Sequence, residues 1–156
     1  MAQKILIAMD DSENAQRAAE FVARSFSPDN RVTLFNVIPD TATLCNMNSP
    51  ELTPLFKEQQ ASFCALESKK RELVNAALKR AKELLVKSGF SADHVKMKIE
   101  DKKHGVARDI LVEAGKDYDL VVIGRRGLSG IKEFFLGSTS QKILNGARDV
   151  SVLIVN

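Results

Sequence analysis

The chain carries the run Gly124-Arg-Arg-Gly127-Leu-Ser-Gly-Ile-Lys-Glu-Phe-Phe-Leu-Gly137-Ser138-Thr139-Ser140. It follows the apolar stretch Leu120-Val-Val-Ile123 and leads into a helix predicted to begin near Ser138. Glycines and small hydroxyl residues between a buried strand and a helix start suit a phosphate. Glycine lets backbone N–H groups approach an anion closely. A helix N-terminus offers unpaired donors and the positive end of its dipole. Serine and threonine add hydroxyl donors, and Arg125, Arg126 and Lys132 are cations able to screen a polyphosphate. A nucleotide-phosphate site is therefore expected here.

A second cluster, Asp10-Asp11-Ser12, ends the apolar run Lys4-Ile-Leu-Ile-Ala-Met9. Asp10 suits contact with a ligand or its metal as well as helix capping, whereas Asp11 reads as a cap or first-turn charge. Groups for fast turnover are not evident. There is no Ser-His-Asp arrangement, no Cys-x-x-Cys and no histidine-rich cluster, and neither His94 nor His104 sits in a transfer motif. Hydrolysis would also need an oriented water and a base beside the γ-phosphate. Cys45 and Cys64 lack metal-ligand spacing; both thiols are expected free in a reducing cytosol, with a redox switch as the lesser alternative.

The elements that must position these residues follow from periodicity. Lys4–Met9 reads as a buried strand. Ala15, Ala18, Ala19, Val22 and Phe26 then share a helical face. Arg31–Ile38 is β-branched and aromatic, a second strand. Residues 39–60, with Pro39, Pro50 and Pro54, form an irregular insertion; Ser49-Pro50-Glu51 could open a helical turn. From about Ala61 to Ser88 a long helix is predicted, with Phe63, Leu66, Leu73, Val74, Ala77, Ala81, Leu84 and Leu85 on one stripe. Val95–Glu100 alternates apolar and charged residues, as a strand near a sheet edge does. A helix over Val106–Lys116, the strand Leu120–Ile123, a helix over Thr139–Gly146 and a strand Val150–Val155 complete the chain. Strands alternating with helices imply one α/β domain over 1–156, an open doubly wound parallel sheet of five strands with helices on both faces.

In such a sheet, ligands bind beyond the carboxyl ends of the strands, where the winding reverses. With strand order 3-2-1-4-5 that point lies between the first and fourth strands. Asp10 leaves one and Gly124 leaves the other. The tail of the second strand, Asn36-Val37-Ile38, should lie beside them, where a flat base can meet backbone groups. A Walker A loop is excluded, because Lys132 stands where its second glycine belongs. A dinucleotide fingerprint is excluded too: the turn after the first strand holds no glycine.

The spacing present is Gly, two residues, Gly, nine residues, Gly-Ser. Together with Lys4–Ser12, the Val37 region, Asp119–Gly124, Phe135-Leu-Gly-Ser138 and the closing apolar strand, it resembles the universal stress protein family over essentially the whole chain. The resemblance implies an ATP-binding regulatory or stress-response module, with at most slow ATP hydrolysis, working as a homodimer through its last strand. It places Asp10 at the nucleoside or at a magnesium ion, Val37 against adenine and Gly124, after Ile123, against the ribose. Arg126, Gly127, Gly137, Ser138, Thr139 and Ser140 would surround the phosphates. Members often carry Cys-Pro before the last strand; here Arg148-Asp149-Val150 stands there, leaving an extra N–H on an edge. The alternatives are an adenylyl- or phosphoryl-transfer enzyme of the related superfamily and an ATP-independent partner-binding domain.

Composition narrows the remainder. Among 156 residues, 44% are apolar and 28% charged, with a net charge of +3 and both signs interspersed. That is ordinary for a globular domain and gives no basic face for nucleic acid. No apolar run approaches the ~18 residues of a membrane span. The start, Met1-Ala-Gln-Lys4, does not read as a signal peptide, and a cytoplasmic location is expected.

Overall fold

The computed structural model describes residues 1–39, 41–46, 53–125 and 136–156. Strands β1 (Lys4–Ala8), β2 (Arg31–Ile38), β3 (Val95–Asp101), β4 (Leu120–Gly124) and β5 (Ser151–Val155) form one sheet. Its order is β3-β2-β1-β4-β5 and every pairing is parallel, as the alternation of elements implied. Ile7 pairs with Leu34 on one side and Val122 on the other. A central parallel strand is covered on both faces, which is why β1 reads as a continuous apolar run.

The strands divide their side chains between two cores. Ile5, Ile7, Val32 and Leu34 pack beneath α1 (Glu13–Ser25) and the long helix α3 (Pro54–Lys87). Leu6, Phe35, Val37, Val121 and Ile123 face α4 (Val106–Ala114) and α5 (Ser138–Gly146). The period of two in each strand decides which core a residue joins. Ser12 caps α1, its hydroxyl accepting from the Ala15 N–H at 3.2 Å.

The α3 helix begins earlier than its periodicity indicated. Thr53 caps it, accepting from the Phe56 N–H, and Pro54 occupies the first turn. At 34 residues it is about 50 Å long, well beyond the reach of strands of five to eight residues. Only Val74, Ala77, Leu78, Ala81 and Leu85 are buried. Phe63, Leu66 and Leu73, expected on the buried stripe, are exposed: Phe63 and Leu66 lie on the half that overhangs the sheet, and Leu73, beside buried Val74, is on the outward face of the packed half. The Ser49-Pro50-Glu51 turn falls outside the described residues.

A short helix α2 (Ala42–Asn46) runs against the overhanging half of α3. Cys45 on α2 is disulfide-bonded to Cys64 on α3, which corrects the expectation of two free thiols. The two lie 19 positions apart, and the fold back of α2 onto α3 brings them together. Gln60 of α3 also donates to the Leu44 carbonyl. Closing a loop of this length restricts the open chain by up to about 3 kcal/mol. That half of α3 lacks core contacts, so the link opposes local opening rather than global unfolding. Cys45→Ser is expected to speed amide exchange over α2 and the first turns of α3. Exchange in β1, β2 and β4, read in the same experiment, should not change.

On the other face, the Glu113 carboxylate of α4 is buried yet fully partnered. It accepts from Lys98 of β3 at 2.9 and 3.0 Å, from Lys116 at 2.9 Å and from the Tyr118 hydroxyl at 3.2 Å. Burial pushes this carboxyl up, but the hydrogen bonds and charges of Lys98 and Lys116 outweigh burial and hold it below the ordinary carboxylate range. A depressed carboxylate contributes stability above its unfolded pKa and loses it as pH falls through the folded one. Glu113→Gln should cost about 1–2 kcal/mol near neutral pH, less than for a fully enclosed pair because both lysines reach solvent. The difference from wild type should shrink as acid protonates Glu113, which denaturant titration across that range measures.

Candidate functional site

The carboxyl ends of β1, β2 and β4 open into a cleft of about 360 Å³. Asp10 and Asp11 line it after β1, Asn36 to Pro39 at the end of β2, Ile123 and Gly124 at the end of β4, and Gly137 to Ser140 at the start of α5. The fold thus gathers Asp10, Val37, Ile123, Gly124, Gly137, Ser138, Thr139 and Ser140 about one space. Arg126, Gly127 and Lys132 lie outside the described residues. Lys70 and Val74 of α3, with Val106 and Ile110 of α4, complete the walls.

The α5 end of the cleft is a set of donors. Gly137 is the N-cap and has no side chain to supply a cap. The first bond along the helix runs from the Gln141 N–H to the Gly137 carbonyl at 2.9 Å. The N–H groups of Ser138, Thr139 and Ser140 precede it and lack intrahelical acceptors. The Gly137 N–H is already spent on the Arg125 carbonyl at 2.9 Å. Ser140 is buried, and its hydroxyl donates to the Gly124 carbonyl at 2.9 Å, fastening α5 to β4. Backbone donors at a dipole's positive end are suited to an anion. Arg125 turns away from this space: its guanidinium donates to the Asn156 amide oxygen at 3.0 Å.

The β2 end differs. The last β1–β2 pair is Ala8 with Phe35, and the Met9 N–H donates to the Phe35 carbonyl at 2.7 Å. Alternate residues of a strand turn their backbone groups to the same side. The Val37 N–H and carbonyl therefore point the same way as those of Phe35, past the point where β1 stops. Asn36 reinforces this, because its side-chain N–H takes the Met9 carbonyl at 2.6 Å. A donor and an acceptor on one exposed backbone edge can meet a planar heterocycle.

Asp10 and Asp11 have distinct settings. One Asp10 oxygen accepts from the Ser12 N–H at 2.8 Å, closing the turn into α1. One Asp11 oxygen is buried without a partner, as is the side-chain oxygen of Asn36. Among the described residues no group of three or more His, Cys, Asp or Glu side chains could by itself hold a metal. Magnesium usually keeps waters and takes one or two carboxylates plus phosphate oxygens, so Asp10 fits it only alongside a phosphate ligand.

Sequence reasoning placed Asn36 beside the cleft but only for its backbone; it missed the Asn36 side chain, Lys70 and the lining role of Asp11. Lys70 lay within the predicted helix, but nothing in its spacing shows that this turn reaches the cleft. Asn36 was visible as the polar interruption of Leu34-Phe-Asn-Val-Ile38, but its orientation depends on where β1 ends.

The family model described as the universal stress protein family matches residues 1–156. A universal stress protein of Mycolicibacterium smegmatis is 26% identical over 151 residues, covering 96% of this chain and 47% of that protein. The chain thus spans about half the length of that relative. Among solved structures, universal stress protein UspA from Lactobacillus plantarum superposes with a TM-score of 0.70 at 21% identity, covering 99% of this chain and 97% of that one. A universal stress protein in complex with cAMP superposes at 0.64 with 16% identity, covering 99% and 97%. These structures share the fold, and the family match spans every strand and the cleft: the chain belongs to the universal stress protein family.

Proposed function

We propose that this chain binds an adenine nucleotide, ATP foremost, in the cleft at the carboxyl edge of the sheet and acts as a regulatory module. The observation that carries this reading is the placement of the Ser138–Ser140 donors across one cleft from the open backbone edge of Val37. The phosphates would lie on α5, with Arg126 and Gly127 of the intervening loop around them, and the base against Val37. Asp10 would serve the nucleoside or a phosphate-bound magnesium. The similar structure described in complex with cAMP supports an adenine ligand.

Hydrolysis, if any, is slow in this reading. The described cleft offers carboxylates at Asp10 and Asp11, on the β1 side rather than on α5 where the phosphates would sit. Occupancy instead would bias the loop after β4 and so a partner surface. We further propose pairing of two copies through β5, an edge strand of the sheet, and a cytoplasmic location, where the Cys45–Cys64 bond would be open to reduction. Among the described residues no helix is long and apolar enough to cross a membrane.

Calorimetry with ATP, ADP, AMP and cAMP tests the site. Binding that tightens with added phosphates is expected, and ATP should co-purify from a native preparation without rapid conversion to ADP. Absence of binding at millimolar ATP overturns the reading. Turnover lost in Asp10→Asn would move the protein to the enzyme class.

A further inference from the structure

We infer that Asn36, with Asp11, is a specificity-determining acceptor that reads hydrogen-bond donors on the nucleoside half of the ligand; this rests on the nucleotide reading above. Asn36 stands in an otherwise apolar stretch of β2 and is 7% exposed. Strand alternation puts it on the same face as Val32 and Leu34, the side of α1 and α3, where an aliphatic residue would pack well. Its amide cannot be flipped. The Met9 carbonyl is an acceptor only, so the group facing it at 2.6 Å must be the NH2. The amide oxygen is thereby fixed as the second group, buried and without a partner.

A buried acceptor left unpaired is costly and calls for a reason. Asp11, which also lines the cleft, holds a second buried oxygen without a partner. Phosphates bring acceptors to a site and cannot satisfy either oxygen. Ribose hydroxyls and the exocyclic amine of a base bring donors. The cleft is therefore polarised: donors at α5, and acceptors at Asn36 and Asp11. A nucleotide fits in one direction only, its phosphates toward Ser138–Ser140 and its donor-bearing nucleoside toward Asn36.

Two nucleoside sources share this donor chemistry, and analogues separate them. Calorimetry on the wild-type chain would compare ATP with 2′-deoxy-ATP, 3′-deoxy-ATP and inosine triphosphate. The first two lack one sugar hydroxyl; the third replaces the exocyclic amine by an acceptor. At least one should bind about tenfold more weakly than ATP, the effect of an unmet buried acceptor. In Asn36→Leu that penalty should collapse toward unity, and Asp11→Ala, which removes the second acceptor, serves as the companion variant. All three analogues binding like ATP overturns the inference while leaving the site itself standing. A penalty that persists in folded Asn36→Leu and in Asp11→Ala overturns the assignment to these residues. Failure of wild type to bind ATP at all overturns the site reading and this inference together. The wild-type comparison needs no variant, so equal binding of all four nucleotides overturns the inference even where Asn36→Leu does not fold, and Asp11→Ala then carries the assignment.

Discussion

Replacing Ser138 by proline is expected to weaken ATP binding roughly 10- to 100-fold while leaving the melting temperature unchanged. Ser138 is the first residue of α5. Its N–H has no carbonyl to bond within the helix, so removing it costs no secondary structure. Proline is accommodated at this position because its φ is already helical. The residue before a proline must avoid the helical region, and Gly137, with φ −56° and ψ 150°, is in a polyproline-like conformation that a following proline accepts. The variant thus deletes one backbone donor and one hydroxyl from the proposed phosphate end and alters little else. A hydrogen bond to a charged acceptor contributes about 1.5–3 kcal/mol, which sets the fold-change.

Ser138→Ala keeps the N–H and separates the two donors; it should recover most of the affinity if the backbone dominates. Adenosine, which carries no phosphate, should bind wild type and Ser138→Pro alike. An equal loss for ATP and adenosine would mean the helix start had moved. Unchanged ATP affinity in a folded Ser138→Pro protein would remove the phosphates from α5.

The parallel sheet and, given the order 3-2-1-4-5, the convergence of Asp10, Val37 and Gly124 on one cleft were legible in the sequence, because the elements themselves follow from local patterns. Apolar runs of five or six residues mark strands buried on both faces. Their alternation with helical periodicity allows few windings, and the winding fixes which carboxyl ends meet. What escaped depends on where elements stop relative to one another. Phe63 and Leu66 have helical spacing whether or not a sheet lies beneath them, and their exposure follows from the length of α3 against the strands. The Cys45–Cys64 pair likewise needs α2 folded back on α3, which no spacing rule reveals. Arg125 looked like a phosphate cation from its position in the loop. Its backbone N–H pairs with the Val155 carbonyl, and the side chain follows β5 to Asn156. Asn36 is the instructive case: its composition was visible, but its role depends on β1 ending one residue before Met9.

Gly124→Ala is expected to lower stability and nucleotide affinity together, and Asn14→Gly is not expected to rescue either. A Cβ on Gly124 would sit 2.9 Å from the Asn14 carbonyl oxygen and 3.0 Å from both the Asn14 carbonyl carbon and Cβ. Two of these three atoms are backbone of the first turn of α1, so no rotamer change relieves the clash. The Asn14→Gly change removes only the third. The overlap must be met by shifting α1 outward or bending the end of β4, and such overpacking costs about 1–3 kcal/mol. For a chain of this size that lowers the melting temperature by several degrees. Both available shifts act on the cleft. The α1 helix carries the Asp10–Ser12 turn, which the Ser12 N–H to Asp10 bond and the Ser12 cap hold together. The end of β4 carries the carbonyl that receives the Ser140 hydroxyl, so its displacement pulls on the start of α5. Gly124 is thus required first by the packing of helix against strand, and only through it by the ligand. Thermal melting and calorimetry on Gly124→Ala, alone and with Asn14→Gly, decide the matter. Wild-type stability with lost ATP affinity would instead show that the glycine serves the ligand directly, and full rescue by Asn14→Gly would show that the backbone contacts do not resist.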